Sequence, residues 1–199
     1  MAKENPVCKR CRREGKKLFL KGERCLTPKC SFTKRSYAPG SSSTSRPSKL
    51  SDYGVQLREK QKAKTRYGVR EKQFENYYLK AAKTKEARGE KLLQFLELRL
   101  DNIVYKIGLG ASMRQARQLV KHGKIKVNDK KVDIPSYQVS EKDIIKPVDK
   151  SIIKLTKTEI PVWLKFNKGD LTAEIVKIPS RTEIDSDISE GLIVEFYSR

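Results

Sequence analysis

Four cysteines lie close to the start of the chain and constrain how this end can fold. Two residues separate Cys8 from Cys11, thirteen separate Cys11 from Cys25, and four separate Cys25 from Cys30. The segment around them has few large apolar side chains, and about 40 residues of this kind rarely fold without a staple. Two close pairs joined by a loop are typical of tetrahedral metal ligation, so all four cysteines are candidate ligands.

The same four thiols are compatible with more than one chemistry. A single Zn²⁺ is the first expectation, and an iron–sulfur cluster is the alternative, because four cysteines hold either. Two disulfides are a third interpretation, which is disfavoured since no apolar secretory signal opens the chain and cytosolic thiols stay reduced. Basic residues surround the cysteines, and we expect their charge to lower the thiol pKa values.

Positive charge is concentrated in the first three quarters of the chain. The 199 residues include 45 Lys and Arg and 24 Asp and Glu, which gives a formal net charge of +21. Residues 1–50 contribute +11, residues 51–90 and 91–145 contribute +5 each, and residues 146–199 are neutral. Such an excess favours a polyanionic partner, with nucleic acid first and an anionic membrane surface second. No apolar run is long enough for a transmembrane helix.

Apolar periodicity and capping residues predict a helical region after a Ser-rich linker at residues 41–50. Helices are predicted over residues 51–67, 70–83, about 89–107 and 113–122. Ser51 and Ser112 are suited to cap the first and the last of them. Phe74, Tyr77 and Tyr78 share one stripe, which favours the core of a small helical bundle over a base-stacking platform.

A β-hairpin is predicted immediately after the last of these helices. Gly123 ends the helix, and Asn128 and Asp129 supply the turn between IKVN and KKVDI. Helix and hairpin then bring basic and amide side chains to one edge, which suits the backbone of a folded RNA. These side chains are Arg114, Arg117, Gln118, Lys121, Lys124, Asn128 and Lys130.

The neutral last quarter alternates apolar and polar residues and predicts strands. SIIKL, VWLKFN, TAEIVKI and LIVEFYS are the candidate strands, with a turn at residues 167–170 and Trp163 in the core. An enzyme is disfavoured, because there is no phosphate loop or nucleophile motif and the single histidine, His122, lies at a basic helix end. The sequence therefore predicts an α+β RNA-binding protein and no small-molecule substrate.

Long strings of the chain resemble bacterial-type small-subunit ribosomal protein four. They are LSDYGVQLREKQK, RYGVREKQF, LELRLDNIVYKIG, ARQLVKHGKIKVN, SYQVS and LIVEFYSR, and the cysteines resemble those of the family's metal-binding form. The resemblance implies a metal-bound knuckle at residues 1–40, a helical domain at 51–90 completed by about 179–199, and an inserted helix-plus-small-sheet RNA-binding module at 91–178.

The resemblance also implies a function. Family members bind small-subunit ribosomal RNA at a multi-helix junction of its five-prime domain and nucleate assembly of the subunit. They lie beside other small-subunit proteins, near the channel through which messenger RNA enters, and contribute to translational accuracy. The expected location is the bacterial cytoplasmic ribosome, with a plastid ribosome as the alternative. An off-ribosome regulator of translation or transcription is the alternative function.

The candidate RNA-binding residues fall into three sets. The module's motif in the family matches Arg99, Ser112 and Gln115 in addition to the residues of the helix and hairpin. Arg46 and Lys49 match the messenger channel. Charge near the knuckle and along the first long helix adds Lys9, Arg10, Arg12, Arg13, Arg58, Lys62 and Arg66. The chain departs from the family where Ser41, Ser42 and Ser43 follow Pro39-Gly40, and in a shortened stretch at residues 146–162.

Overall fold

The computed structural model describes residues 7–40, 49–152, 155–156, 159–184 and 187–199. The chain forms two compact units: unit 1 contains residues 1–74 and 188–199, and unit 2 contains residues 75–187. No helix among the described residues is long and apolar enough to cross a lipid bilayer. Helices and a single antiparallel sheet make up the fold, so the predicted α+β class is confirmed.

Unit 1 is helical. Its helices are α1 (Val7–Glu14), α2 (Ser31–Lys34), α3 (Asp52–Arg66), the first residues of α4 (Glu71–Ala82), and α8 (Glu190–Tyr197). As predicted, Ser51 caps α3, and its hydroxyl accepts a hydrogen bond from the Gly54 N–H at 3.2 Å. Gly68 follows α3 with a positive φ of 62°, a conformation that suits glycine and ends the helix.

The strand predicted at LIVEFYS is wrong, because this segment is helix α8. α8 packs along α3, with Ile193 fully buried and the rings of Tyr53 and Phe196 5.6 Å apart. A run of apolar residues this short satisfies a strand pattern and a helix pattern equally well. Contact with α3 decides between them, since it buries one side of a helix.

A cluster of opposite charges joins α3, α4 and α8 within unit 1. The carboxylate of Glu71 accepts hydrogen bonds from Lys60 and Lys64, each at 2.7 Å, and from the Tyr197 hydroxyl at 3.2 Å. The Lys60 ammonium also lies 4.0 Å from the centre of the Phe196 ring. Partial burial acts to raise the pKa of Glu71, but the two lysines outweigh it and lower this pKa to about 2.

Unit 2 combines helices with a five-stranded sheet. It contains the rest of α4, then α5 (Arg88–Glu97), α6 (Leu100–Lys106) and α7 (Met113–Lys121). The strands are β1 (Ile125–Val127), β2 (Lys130–Val132), β3 (Ile144–Pro147), β4 (Leu164–Asn167) and β5 (Thr172–Ile175). Every neighbouring pair is antiparallel, in the order β2-β1-β3-β5-β4. The core between helices and sheet includes Ile103, Val120, Ile145 and the fully buried Trp163, whose predicted core position is confirmed.

The helix predicted over residues 89–107 is broken in two. Leu98 and Arg99 leave the helical conformation and run beside the segment 137–139. The N–H of Leu100 donates to the Tyr137 carbonyl at 2.9 Å, and the N–H of Val139 donates to the Leu98 carbonyl at 3.0 Å. The residues that form these hydrogen bonds are distant in the sequence. The apolar spacing of residues 92–107 therefore continues through positions 98 and 99 and does not reveal that the helix is interrupted there.

Some of the remaining strand predictions are confirmed and others are not. The hairpin β1–β2 is confirmed, and Asn128 and Asp129 both adopt positive φ in its turn, at 48° and 68°. The strands at VWLKFN and TAEIVKI are confirmed as β4 and β5, whereas β3 was not predicted. SIIKL does not begin as a strand: Lys150–Ile152 form a 3₁₀ turn, and residues 153 and 154 lie outside the described part of the chain.

The unit boundary differs from the predicted domain limit at residue 90. It falls inside α4, because the second half of that helix packs within unit 2. There the rings of Tyr77 and Phe95 stack 6.5 Å apart, and the Tyr77 hydroxyl accepts a hydrogen bond from Arg99 at 2.8 Å. The aromatic stripe predicted as core is indeed buried at Phe74, Tyr77 and Tyr78.

We expect Glu71→Gln to destabilise unit 1 by about 1 kcal/mol at neutral pH, since it removes two partly exposed ion pairs. The folded-state pKa lies below the ordinary value, so the stabilisation is present above pH 4.5 and is lost as pH falls toward 2. Urea unfolding at pH 7, 4 and 2.5 measures this, with Glu23→Gln as the control. A difference from the unaltered chain that stays constant down to pH 2.5 would contradict the prediction.

Candidate nucleic-acid interface

Helix α7 presents one buried side and one charged side. Ser112 caps it, accepting from the Gln115 N–H at 3.3 Å, while the Gln115 side chain accepts from the Ala111 N–H at 2.9 Å. Ala116 and Val120 are fully buried against the core, as predicted. Both Ser112 and Gln115 therefore bond the start of the helix itself. Three exposed side chains form what we call the α7 surface: Arg114, Gln118 and Lys121.

Arg117 lies beside this surface and is held from below by a buried carboxylate. Its guanidinium is 3.3 Å from Asp101 Oδ2, and Asp101 is fully buried. The same carboxylate accepts two hydrogen bonds from Arg99, at 3.0 and 2.7 Å. A continuous polar chain thus runs from Tyr77 through Arg99 and Asp101 to Arg117 at the edge of the α7 surface.

The structure does not place Arg99 on the interface. The predicted RNA contact is corrected here, because the residue is 0% exposed and its guanidinium is occupied by Asp101 and Tyr77. Burial acts to lower the pKa of Arg99, yet Asp101 and Tyr77 outweigh it and raise that pKa, so the guanidinium stays charged. A buried charge of this kind is tolerated only with its partner in place.

The β1–β2 hairpin region adds two exposed cations. Lys124 precedes β1 and Lys130 begins β2, and both side chains are exposed. Asn128 holds the turn: its side chain donates to Asp143 at 2.7 Å and accepts from the Ile144 N–H at 2.9 Å. The amide of Asn128 is thereby used to fasten the hairpin to β3. His122 is exposed where α7 ends.

The four cysteine side chains are free thiols in one small knuckle of unit 1. Three of them, Cys11, Cys25 and Cys30, are buried. Burial raises the pKa of Cys11 and of Cys25, and the neighbouring cysteines raise both further. Burial also acts to raise the pKa of Cys30, but backbone N–H groups of Thr33 and Phe32 outweigh it and lower the value. The expected general lowering by basic neighbours is therefore wrong for Cys11 and Cys25, where burial dominates.

The knuckle fits a metal in its donors but not in their arrangement. Four soft sulfur donors lie near one another, and backbone N–H groups donate to three of the sulfurs, as thiolate ligands require. Within the described residues, however, no three His, Cys, Asp or Glu side chains are placed so that they could hold a metal ion. The knuckle is shown as a fold element, and its metal is not.

Two of the predicted RNA contacts near the knuckle donate hydrogen bonds to the protein backbone. Arg12 donates to the Tyr37 carbonyl at 2.9 Å with its guanidinium 4.9 Å from the Tyr37 ring centre, and Arg13 donates to the Pro39 carbonyl at 3.3 Å. These two arginines fasten the segment 37–39 to α1. Lys9 is exposed and Arg10 is half-buried on the same helix.

On α3, two of the predicted contacts form ion pairs with carboxylates of the same unit. Arg58 forms an ion pair with Glu14 at 3.0 Å, and Lys62 is buried and pairs with Glu59 at 2.6 Å. The structure thus places Lys62 away from solvent, which corrects its assignment to an RNA surface. Of the remaining predicted residues of unit 1, Arg66 is half-buried, Lys49 is exposed, and Arg46 lies outside the described residues.

Two acidic residues matter here that the sequence analysis did not single out. Asp101 supports Arg117, and Glu97 pairs with Lys106 at 2.7 Å and accepts from Asn102 at 2.7 Å while 1% exposed. The sequence does contain a sign of both residues, because each lies among the apolar residues of the predicted helix over 89–107. A carboxylate buried at such a position needs a charged or hydrogen-bonding partner.

Comparison with known proteins is decisive about the family. A family model described as "Ribosomal protein S4/S9 N-terminal domain" matches residues 2–97, and one described as "S4 domain" matches residues 98–145. "Small ribosomal subunit protein uS4A" of Clostridium acetobutylicum is 53% identical over 201 aligned residues, covering 97% of both chains. The chain belongs to the ribosomal protein S4 (uS4) family. "Small ribosomal subunit protein uS4" of Clostridium botulinum is 52% identical, and that of Thermodesulfovibrio yellowstonii is 50% identical, at the same coverage.

The uS4 matches follow the structure closely. The two family models meet between residues 97 and 98, where α5 ends and two non-helical residues precede α6. The S4 domain therefore contains α6, α7 and the hairpin, and with them the whole α7 surface. The family resemblance predicted from the sequence is confirmed, while its four-cysteine metal-binding form is not shown.

We expect Asp101→Asn to destabilise unit 2 by about 3–5 kcal/mol, because it leaves the buried Arg99 without a counter-charge. Urea unfolding followed by far-UV circular dichroism measures the change. The exposed pair of Lys150 and Asp170 supplies the control, since Asp170→Asn should cost under about 1 kcal/mol. A loss for Asp101→Asn no larger than that of the control would contradict the structural role of the pair.

Proposed function

We propose that this chain is a structural, non-enzymatic constituent of the small ribosomal subunit and binds small-subunit ribosomal RNA. The α7 surface carries the proposal, because it places exposed cationic and amide side chains on one side of a helix fixed to a rigid core. The uS4 relatives are named as small ribosomal subunit proteins. Since those relatives are bacterial, a bacterial ribosome is the favoured location, and the plastid alternative gains no support.

The chemistry of the α7 surface suits an RNA backbone. Arg114 and Lys121 offer charge to phosphates, and Gln118 between them offers an amide to 2′-hydroxyls or base edges. Arg117 beside them is oriented by Asp101, so its guanidinium is placed before the RNA arrives. A preorganised cation loses less conformational entropy on binding than a mobile one.

The finer parts of the function follow from the family resemblance. We infer that the RNA target is the multi-helix junction of the five-prime domain, and that binding there nucleates assembly beside neighbouring small-subunit proteins. A contact with messenger RNA near its entrance to the ribosome, and a contribution to translational accuracy, would rest on Lys49, which is exposed, and on Arg46. The off-ribosome regulator is not favoured by any relative named here.

The test of RNA binding uses Arg114→Ala with Lys121→Ala in the full chain. At about 150 mM salt, we expect the unaltered chain to bind a five-prime-domain fragment of small-subunit ribosomal RNA against excess unrelated structured RNA. The double variant should bind more weakly, and the slope of log affinity against log salt should fall by about 2, one for each lost phosphate contact. Lys165→Ala with Lys168→Ala, also exposed, removes equal charge as the control. Binding abolished by the competitor would contradict specific recognition and return the regulator to consideration.

We propose separately that Cys8, Cys11, Cys25 and Cys30 hold one Zn²⁺, with an iron–sulfur cluster as the alternative. The four soft sulfur donors and the N–H groups around three of them support this. A bound metal would staple a knuckle whose own apolar cluster is confined to a few residues around Cys11.

Metal analysis of the purified chain tests the knuckle. We expect about one zinc per chain, and loss of that zinc in Cys25→Ser because three thiolates leave the tetrahedral set incomplete. Iron with visible absorbance would identify a cluster instead. Ser36→Ala, an exposed change in the same segment, is the control. Full occupancy in Cys25→Ser, or no metal in the unaltered chain loaded under reducing conditions, would contradict four-cysteine ligation.

A further inference from the structure

Three lysines stand side by side across β2, β1 and β3. In the antiparallel register, Lys126 lies opposite Lys131 on one neighbouring strand and opposite Lys146 on the other. Directly opposed residues share a face of the sheet, with about 5 Å between their Cβ atoms. Like charges in these positions destabilise a sheet, so the arrangement costs folding free energy. We call these three residues the lysine row.

The lysine row points away from the core. Lys126 lies between Ile125 and Val127, which are both buried in the core, so its side chain leaves from the other face. The same alternation holds on β3 around Lys146, whose side chain is 38% exposed. Lys131 is exposed on β2. The face is therefore open to a partner.

Only part of the positive charge is neutralised by the protein. Asp129 in the hairpin turn forms an ion pair with Lys146, and this contact lowers the pKa of the Asp129 carboxyl. Across the described ranges of the chain, neither Lys126 nor Lys131 forms an ion pair with a carboxylate. The row keeps an excess of positive charge that an external anion would relieve.

The lysine row is continuous with the α7 surface. Gly123, which follows α7 with a positive φ of 62°, lies directly under the Lys131 side chain, and a Cβ at this position would collide with Lys131 Cε. Lys121 at the end of α7 and Lys124 before β1 are both exposed. Cationic side chains thus extend from α7 past Gly123 and onto the sheet.

We propose that the lysine row is a second phosphate-binding surface of the S4 domain, which takes the backbone of an RNA strand running on from the α7 surface. This inference rests on the proposed function, because the RNA is the same. Phosphates would replace the repulsion between neighbouring lysines with attraction. Lysine suits this task, since an ammonium on a flexible stem follows a backbone without reading its bases.

Salt-dependent binding of the full chain tests the proposal, with the five-prime-domain fragment of small-subunit ribosomal RNA as the probe. Lys126→Gln with Lys131→Gln removes two charges and leaves the Lys146–Asp129 pair intact. We expect the slope of log affinity against log salt to fall by about 2, with discrimination against unrelated RNA retained. Lys85→Gln with Lys168→Gln is the matched control, since both lysines are exposed and lie outside the strands of the sheet, and it should leave the slope unchanged. Urea unfolding without RNA checks the fold, and its midpoint should be equal or higher in Lys126→Gln with Lys131→Gln because a repulsion is removed.

The outcomes separate this inference from the function on which it rests. If Arg114→Ala with Lys121→Ala weakens binding but Lys126→Gln with Lys131→Gln matches its control, the lysine row is no RNA surface and the proposal is overturned. If the variant binds normally and instead self-associates on size-exclusion chromatography, the lysines protect the edge strand β2 from pairing, which also overturns it. If the unaltered chain fails against the competitor, the proposed function fails and this inference with it.

Discussion

The buried ion pair between Arg99 and Asp101 is the interaction on which the RNA-facing part of the molecule depends. The helical conformation is interrupted at Leu98 and Arg99, where the backbone runs beside residues 137–139. This interruption places the Arg99 guanidinium in a fully buried position. Asp101, two residues on, neutralises it with two hydrogen bonds. Because the same carboxylate reaches Arg117, the core also sets the direction of a side chain on α7. Asp101 lies on α6 and Arg117 on α7, so their ion pair links the two helices at the edge of the α7 surface.

Charge has different uses in the two units. Near the knuckle and along α3, where counting predicts a strong RNA surface, Lys60, Lys62 and Arg58 are paired with carboxylates of the same unit. Arg12 bonds a backbone carbonyl and an aromatic ring. In unit 2, by contrast, Lys121 at the end of α7 is exposed, and Lys126 and Lys131 of the lysine row lie directly opposite each other. The net charge of a sequence indicates that a polyanion binds. The surface that binds it can be located only from the contacts of each side chain in the structure.

Local signals explain what could be predicted from the sequence. The hydroxyls of Ser51 and Ser112 cap the helices that they precede, and Asn128 with Asp129 adopts the positive φ that a two-residue hairpin needs. These features depend on neighbours within four residues. The break at Arg99 and the helical state of α8 depend on residues far away in the chain, so an apolar period alone could not reveal them. The candidate site was affected in the same way, since Arg99 matches the family's RNA-facing motif but is held in the core.

A cation that is satisfied by the protein and one that is not have different consequences for function. Asp101 orients the Arg117 guanidinium but neutralises part of its charge, whereas Lys126 and Lys131 keep their full charge and destabilise the sheet by repelling each other. RNA phosphates would relieve the repulsion between the two lysines, but they would not restore the charge of Arg117. The α7 surface is therefore suited to define where the RNA docks, and the lysine row to add affinity that depends strongly on salt. In a domain that combines the two, buried Asp101 fixes the orientation of Arg117 toward the RNA. Relief of the repulsion between Lys126 and Lys131 then adds to the binding free energy.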